Sequence, residues 1–332
     1  MTLSDLMIHM VVLVKRNMGQ SPKIYIAGHS GMVGSAILRK LINDGYPKGS
    51  IILRSSAELD LVNQKEVKHF FEKEKPDYVY LAAAKVGGIY ANDSLPADFI
   101  YQNLMIEANI INASFETDVK KLLFLGSSCI YPGKADQPIK ESSFMTGSLE
   151  KTNEWYAIAK IAGIKLCQAY RKQYGSNFIS VMPTNLYGQG DNFHPQYSHV
   201  PAALLRRFHE AKINDEPKSV VWGTGNAKRE FLHVDDLADA CVFLMQNYSE
   251  AEPINVGTGS DLTISEFAQI LSDVVEYKGM LEFDSTRPDG TMRKVLDISR
   301  LKELGWQAKI PLSDGLNQYY SWFLENQESI RI

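Results

Sequence analysis

The chain has 332 residues, 45% hydrophobic and 22% charged, with a formal net charge of −4. Such proportions suit a globular chain that buries one large domain, or one domain with a smaller partner. The lack of basic excess excludes a nucleic-acid partner, and Cys129, Cys167 and Cys241 show neither metal-ligand spacing nor a disulfide framework.

Leu6 to Val14 is apolar but short, is interrupted by His9 and is followed by Lys15 and Arg16. A membrane span needs roughly 20 apolar residues, and no small-residue cleavage site follows. Met1–Gln20 is therefore read as an extension outside the fold, with no membrane partner and a reducing cytoplasm as the expected compartment. Lys23–Ala27 has strand character, and the glycine pattern Gly28-His-Ser-Gly31-Met-Val-Gly34 follows at once. From Met32 to Leu41 the apolar residues Val33, Ala36, Ile37 and Leu41 fall at helical spacing. Strand, tight turn and helix are the context of a dinucleotide fingerprint. Gly28 permits the turn, Gly31 allows backbone to approach a pyrophosphate, and Gly34 lets helix and strand pack closely.

A second strand is expected at Ser50–Arg54. Its end carries Arg54-Ser55-Ser56, and the first acid, Glu58, comes later. A guanidinium beside hydroxyls suits a 2′-phosphate, which favours NADP(H) over NAD. Further along, a helix at Gln64–Lys75 precedes a strand at Asp77–Ala82. A long helix at Ala97–Phe115 precedes a strand at Lys121–Gly126, and a helix at Tyr156–Tyr174 precedes a strand at Phe178–Met182. This alternation predicts an α/β fold with a doubly wound parallel sheet, a Rossmann architecture. Ligands should gather at the carboxyl ends of its strands, where Gly28, Ala83, Ser127 and Pro183 lie.

Tyr156 and Lys160 stand four residues apart and share one helix face. An ammonium beside a phenol favours the phenolate, so Tyr156 is expected to exchange protons near neutral pH. From Asn185 the rhythm changes: polar and aromatic residues crowd Tyr187–Tyr197, and a basic helix is expected at His199–Lys212. Glu230–Val234 and Pro253–Val256 read as short strands returning to the sheet. Beyond Ser260 the pattern is mixed helix and strand, with a turn at Arg287–Gly290. The expected domains are 21–185 with about 220–258 for the dinucleotide, and about 186–219 with 259–332 as a smaller mixed α/β substrate domain.

These segments, with Arg229-Glu-Phe-Leu-His-Val-Asp-Asp236 and Ile254-Asn-Val-Gly257, resemble the extended short-chain dehydrogenase/reductase family. Leu81-Ala-Ala-Ala-Lys-Val-Gly-Gly88, Gly126-Ser-Ser-Cys-Ile-Tyr-Pro132, Pro183-Thr-Asn-Leu-Tyr-Gly188, Asp191-Asn-Phe-His194 and Ser198-His199-Val200 resemble more closely its members that convert GDP-4-keto-6-deoxy-D-mannose into GDP-L-fucose. The resemblance implies epimerisation at C3 and C5, then NADPH-dependent reduction at C4. It implies Cys129 and His199 as the acid–base pair for the epimerisations, leaving open which of them removes each proton. On spacing alone, Cys129 reads as a small buried residue at a strand end. Tyr156 is implied as the proton donor in the reduction, Lys160 as the group that holds the ribose, and Ser127 as a hydrogen-bond donor to the carbonyl oxygen.

The cofactor contacts implied are Gly28, Ser30, Gly31, Met32, Val33, Gly34, Arg54, Ala83, Leu125, Ser127, Tyr156, Lys160, Pro183, Asn185, Leu186 and His199. For the nucleotide sugar the resemblance implies Arg207, Trp222, Arg229 and Asp289, with Asn185 and Lys294 as additions; by sequence Arg206 serves as well as Arg207. Ser30 and Ser56 stand where many family members have arginines, which leaves NADPH against NADH open. A homodimer through the two long helices is also implied. The rivals are a nucleotide-sugar 4-epimerase or 4,6-dehydratase of the same fold, and a non-catalytic sensor of NADP(H).

Overall fold

The computed structural model describes residues 21–330 apart from position 288. The expected extension at Met1–Gln20 lies outside the described residues, as does one position of the expected Arg287–Gly290 turn. In chain order the first half holds β1 (Ile24–Ala27), α1 (Met32–Asn43), β2 (Ile51–Ile52), α2 (Gln64–Glu74), β3 (Tyr78–Leu81), α3 (Ile89–Ser94), α4 (Pro96–Glu116), β4 (Lys121–Leu125), α5 (Glu154–Tyr174) and β5 (Phe178–Pro183). Then come β6 (Asn185–Tyr187), α6 (Val200–Ile213), β7 (Lys218–Trp222), β8 (Lys228–Arg229), β9 (Phe231–His233), α7 (Val234–Asn247) and β10 (Ile254–Val256). The chain ends with β11 (Leu262–Thr263), α8 (Ile264–Val275), β12 (Met280–Asp284), β13 (Arg293–Lys294), α9 (Ser299–Glu303) and α10 (Leu312–Glu325).

The main sheet has the order β2-β1-β3-β4-β5-β10, and every pairing in it is parallel. Both faces are covered, so its strands read as continuous apolar runs. Alternate residues go to opposite sides. Tyr25, Ala27, Val79, Leu81, Leu122 and Phe124 pack with α2, α4 and α5, whereas Ile24, Ile26, Tyr80, Leu123 and Leu125 pack with α1 and α7. The chain leaves β1 towards β2 and returns on the other side at β3. This topological switch opens a crevice above the carboxyl ends of β1 and β3.

A third core lies apart from the sheet, built from α6, α8 and α10 around Phe208, Phe267 and Tyr319. Val221 and Ala227 belong to this core, while Leu301 and Trp306 pack against the sheet with α1 and α7. Local chemistry sets several ends. The Asn63 side chain accepts from the amides of Lys65 and Glu66 to start α2, Thr263 and Glu266 form a capping box on α8, and Gly175 ends α5 at φ +74°. The buried Glu230 carboxylate ties distant loops together by accepting from the amides of Thr258 (2.6 Å), Gly259 (2.7 Å) and Leu296 (2.9 Å).

One expected strand goes elsewhere. Of Glu230–Val234, only Phe231–His233 is a strand, and it pairs with β6 in a separate two-stranded ladder rather than with the main sheet. Val234 already begins α7, whose Asp235 amide donates to the His233 ring, so too little chain remains to reach the sheet edge. Ile254–Val256 does return, pairing with β5.

Candidate active site

The glycine turn follows β1 directly, and its backbone leaves no room for side chains. Gly28 sits at φ +83°, and a Cβ there would meet backbone atoms of Ala83 at 2.8 Å. A Cβ on Gly34 would lie 2.1 Å from the Gly28 carbonyl oxygen, so α1 rests on the turn itself. The Gly31 amide donates to the Gly28 carbonyl (3.0 Å), and Gly31 caps α1 without any side-chain hydrogen bond. The first amides of α1 thus stay available, and Nδ1 of His29 is buried without a partner among the described residues. A backbone cradle at an uncapped helix start fits the diphosphate of a dinucleotide. Ser30 is exposed beside it, Met32 and Val33 are half-buried, and Ala83 lines the crevice from the end of β3.

Arg54 stands at the expected place, but its guanidinium is engaged elsewhere. It pairs with Glu74 of α2 at 2.7 Å and lies 5.6 Å from the centre of the Phe70 ring. Glu58 folds back onto Ser55, accepting from its amide and hydroxyl, and Ser56 is exposed.

Leu125 ends β4, and Ser127 follows as the cap of a short turn, Ser128–Ile130. Its hydroxyl oxygen accepts from the Cys129 amide (3.3 Å), which leaves its own proton to donate. Helix α5 begins at Glu154, two residues before its expected start, and carries Tyr156 and Lys160 towards the sheet. Lys160 is buried, with its ammonium 2.9 Å from the buried Glu107 carboxylate of α4 and 5.7 Å from the centre of the Tyr156 ring. Burial, with Cys129 and Glu107 adding to it, holds the Tyr156 phenol well above the ordinary tyrosine value. Burial also pushes the Glu107 carboxyl up, against the pull of the Lys160 ammonium beside it.

Cys129 lines a small cavity with Tyr131, Gln137, Glu150, Asn153 and Lys294. Burial pushes its thiol up, while the Lys294 charge and the Ser127 hydroxyl work against that. His199 is the N-cap residue of α6, at the open side of the cleft. Desolvation in the cleft, then the Lys294 charge, holds its imidazole below the ordinary range. Lys294 therefore acts electrostatically on both residues. At neutral pH Cys129 is a thiol and His199 a neutral imidazole, one proton donor and one acceptor. Pro183 ends β5 in the core, and the half-buried Asn185 and Leu186 follow in β6. The Asn185 side-chain Nδ2 donates to the Glu230 carbonyl (2.8 Å).

The candidates for nucleotide-sugar binding also converge. The Arg207 guanidinium lies 5.4 Å from the centre of the exposed Trp222 ring and donates to the Val220 carbonyl. Arg206 turns away, bound to Glu210 and to the Phe193 carbonyl, so only one of the two arginines faces Trp222. Asp289 receives the amide and the hydroxyl of Thr224, both at 2.8 Å, and its carbonyl accepts from Arg229 (3.1 Å). Burial holds Arg229 and Lys294 below their ordinary values.

The model of the NAD dependent epimerase/dehydratase family matches residues 24–257. The chain belongs to that family. It is 61% identical to a putative GDP-L-fucose synthase 2 of Arabidopsis thaliana, over 92% of this chain and 93% of the relative. It is 57% identical to the GDP-L-fucose synthase of Escherichia coli K12, over 93% and 98% of the two chains. A crystal structure of a GDP-L-fucose synthetase from Naegleria fowleri bound to NADP superposes with a TM-score of 0.87 at 29% identity, covering 95% of this chain and 98% of that one.

Within this epimerase/dehydratase fold, sequence reasoning missed three groups. Glu107 interrupts an apolar helix and gave no signal until α4 and α5 were brought together. Arg287 lies 4.9 Å from the Trp222 ring centre, so that ring has two guanidinium neighbours. Glu150 joins the Cys129 cavity from a loop that carries no motif.

Proposed function

We propose that this chain converts GDP-4-keto-6-deoxy-D-mannose into GDP-L-fucose, inverting C3 and C5 and then reducing C4. The observation that carries this reading is a thiol and an imidazole in the field of one lysine, beside the Tyr156–Lys160 pair. A plain reductase of the same fold needs the tyrosine and lysine alone. Protons next to a ketone are acidic enough to be removed by a neutral base and returned from the other face by an acid. Cys129 and His199 would share that work, and Lys294 would favour the thiolate and the neutral imidazole as they form. Bound NADPH supplies the hydride for C4. Ser127 would donate to the C4 oxygen, and Tyr156 would give it a proton as charge develops there.

Arg207, Arg229 and Lys294 would hold the diphosphate, Trp222 the apolar face of the nucleotide, and Asp289 the loop that positions both. The separate third core supports a division into a cofactor lobe and a nucleotide-sugar lobe. A homodimer through α4 and α5 belongs to the same proposal, supported by Tyr101, Trp155 and Ile158, large apolar residues left exposed on those helices. Among the described residues no helix is long and apolar enough to cross a membrane; the cytoplasm remains the proposed compartment. The test is to follow NADPH oxidation with the keto sugar and identify the product. GDP-L-fucose supports the reaction, GDP-D-rhamnose removes the epimerase part, and no oxidation overturns it.

A further inference from the structure

The loop after β3 is fixed from both α3 and α4. The Lys85 amide donates to the buried Asn103 side chain (2.8 Å), whose Nδ2 donates back to the Lys85 carbonyl (3.0 Å). Asn92 Nδ2 donates to the carbonyls of Gly87 (2.8 Å) and Gly88 (3.0 Å). The segment that leads to His199 rests on this shelf. The Gly88 amide donates to the Tyr197 carbonyl (2.8 Å), and a Cβ on Gly88 would lie 2.6 Å from the Ser198 carbonyl oxygen. Gly88 has φ −66° and ψ −177°, extended backbone open to any residue, so it is this close approach that calls for glycine. Stacked rings extend the contact: Tyr197 lies 5.9 Å from Tyr90 and 4.3 Å from His194, centre to centre. On its other side the shelf meets Phe99, which a Cβ on Gly87 would approach to 3.3 Å. The Phe99 ring in turn stands edge-on to Tyr156, with centres 6.4 Å apart.

We infer that Gly88 is a positioning residue for the epimerisations: the shelf it forms sets where His199, the residue after Ser198, stands relative to Tyr156 and the cofactor crevice. The inference rests on the proposed reaction. At each carbon one C–H bond breaks and its proton passes to one of Cys129 and His199, while the other returns a proton to the opposite face. A catalytic group misplaced by about 1 Å can lose about a hundredfold in rate. The C4 reduction draws on Ser127, Tyr156 and Lys160, which other elements carry and which do not move with Ser198.

The test is Gly88→Ala, read in two separate reactions. Cβ contacts essentially never fall below 3.0 Å, so the Ser198 carbonyl must withdraw by about 0.4 Å or more. Solvent-deuterium exchange into C3 and C5 of the keto sugar, with NADP+ present so that no hydride is available, should fall about tenfold or more. Oxidation of GDP-L-fucose by NADP+, the reverse of the reduction, should stay within about threefold of wild type. Unmoved exchange in a folded G88A protein overturns the inference, and so does an equal fall in both reactions. If G88A does not fold, Tyr197 decides. Tyr197→Phe keeps the stacked rings and should exchange as wild type does, whereas Tyr197→Ala removes them and should lose exchange selectively. Two Tyr197 variants that behave alike overturn the inference. A wild type that exchanges at neither carbon is a failure of the proposed reaction itself, seen without any variant, and it takes this inference with it.

Discussion

Replacing Gly34 by alanine should damage cofactor binding far more than it damages the fold. The added Cβ would sit 2.1 Å from the Gly28 oxygen, 2.6 Å from the Gly28 carbonyl carbon and 2.8 Å from the His29 Cα. Cβ contacts essentially never fall below 3.0 Å, so the turn and α1 must part by about 0.9 Å. All three atoms are backbone, and no flexible side chain can yield in their place. Overpacking of this kind costs about 1–3 kcal/mol. Because the strain falls on the turn that cradles the diphosphate, most of it should appear as lost affinity, about 5- to 150-fold in the NADPH dissociation constant. Titration calorimetry with NADPH measures this, and a thermal melt shows how much of the cost falls on the fold. Gly49→Ala is the control, since nothing lies within 4 Å of a Cβ there. Unchanged NADPH affinity in a folded Gly34→Ala protein would refute the reasoning.

Cys129→Ser should lose solvent-deuterium incorporation at the sugar C3 and C5 by about 10²- to 10⁴-fold, the usual contribution of a general acid or base. Burial raises the Cys129 pKa and so favours the neutral thiol; native Cys129 should therefore alkylate more slowly at pH 8 than a free cysteine and speed up as the pH rises. Labelling followed by mass spectrometry checks this. Trp222→Ala should raise KM for the GDP-sugar about tenfold with kcat little changed, because the ring, with Arg207 and Arg287 beside it, is assigned to the nucleotide and not to the reacting sugar. Steady-state kinetics decide it, and a fall confined to kcat would contradict the assignment.

The central strands were legible because each is buried on both faces and reads as an unbroken apolar run bounded by a turn. The glycine turn was legible for a related reason. Its spacing answers to backbone contacts, Gly28 on Ala83 and Gly34 on Gly28, which no other residue type satisfies. Residue type alone also located Arg54, but its direction depends on Glu74 in another helix, a contact that local pattern does not reveal. The setting of Tyr156 was only half legible for the same reason. Its lysine partner is visible at helical spacing, whereas the carboxyl group that touches the lysine sits on α4, far earlier in the chain. The strand at Phe231–His233 was recognised as a strand and assigned to the wrong sheet, since its length and the immediate start of α7 decide where it pairs.

The most direct measurement is one turnover of GDP-4-keto-6-deoxy-D-mannose with NADPH in deuterated water, read by NMR of the product. The proposed reaction predicts GDP-L-fucose carrying solvent deuterium at C3 and C5, with the nicotinamide hydride at C4. GDP-D-rhamnose free of deuterium at those carbons would contradict it.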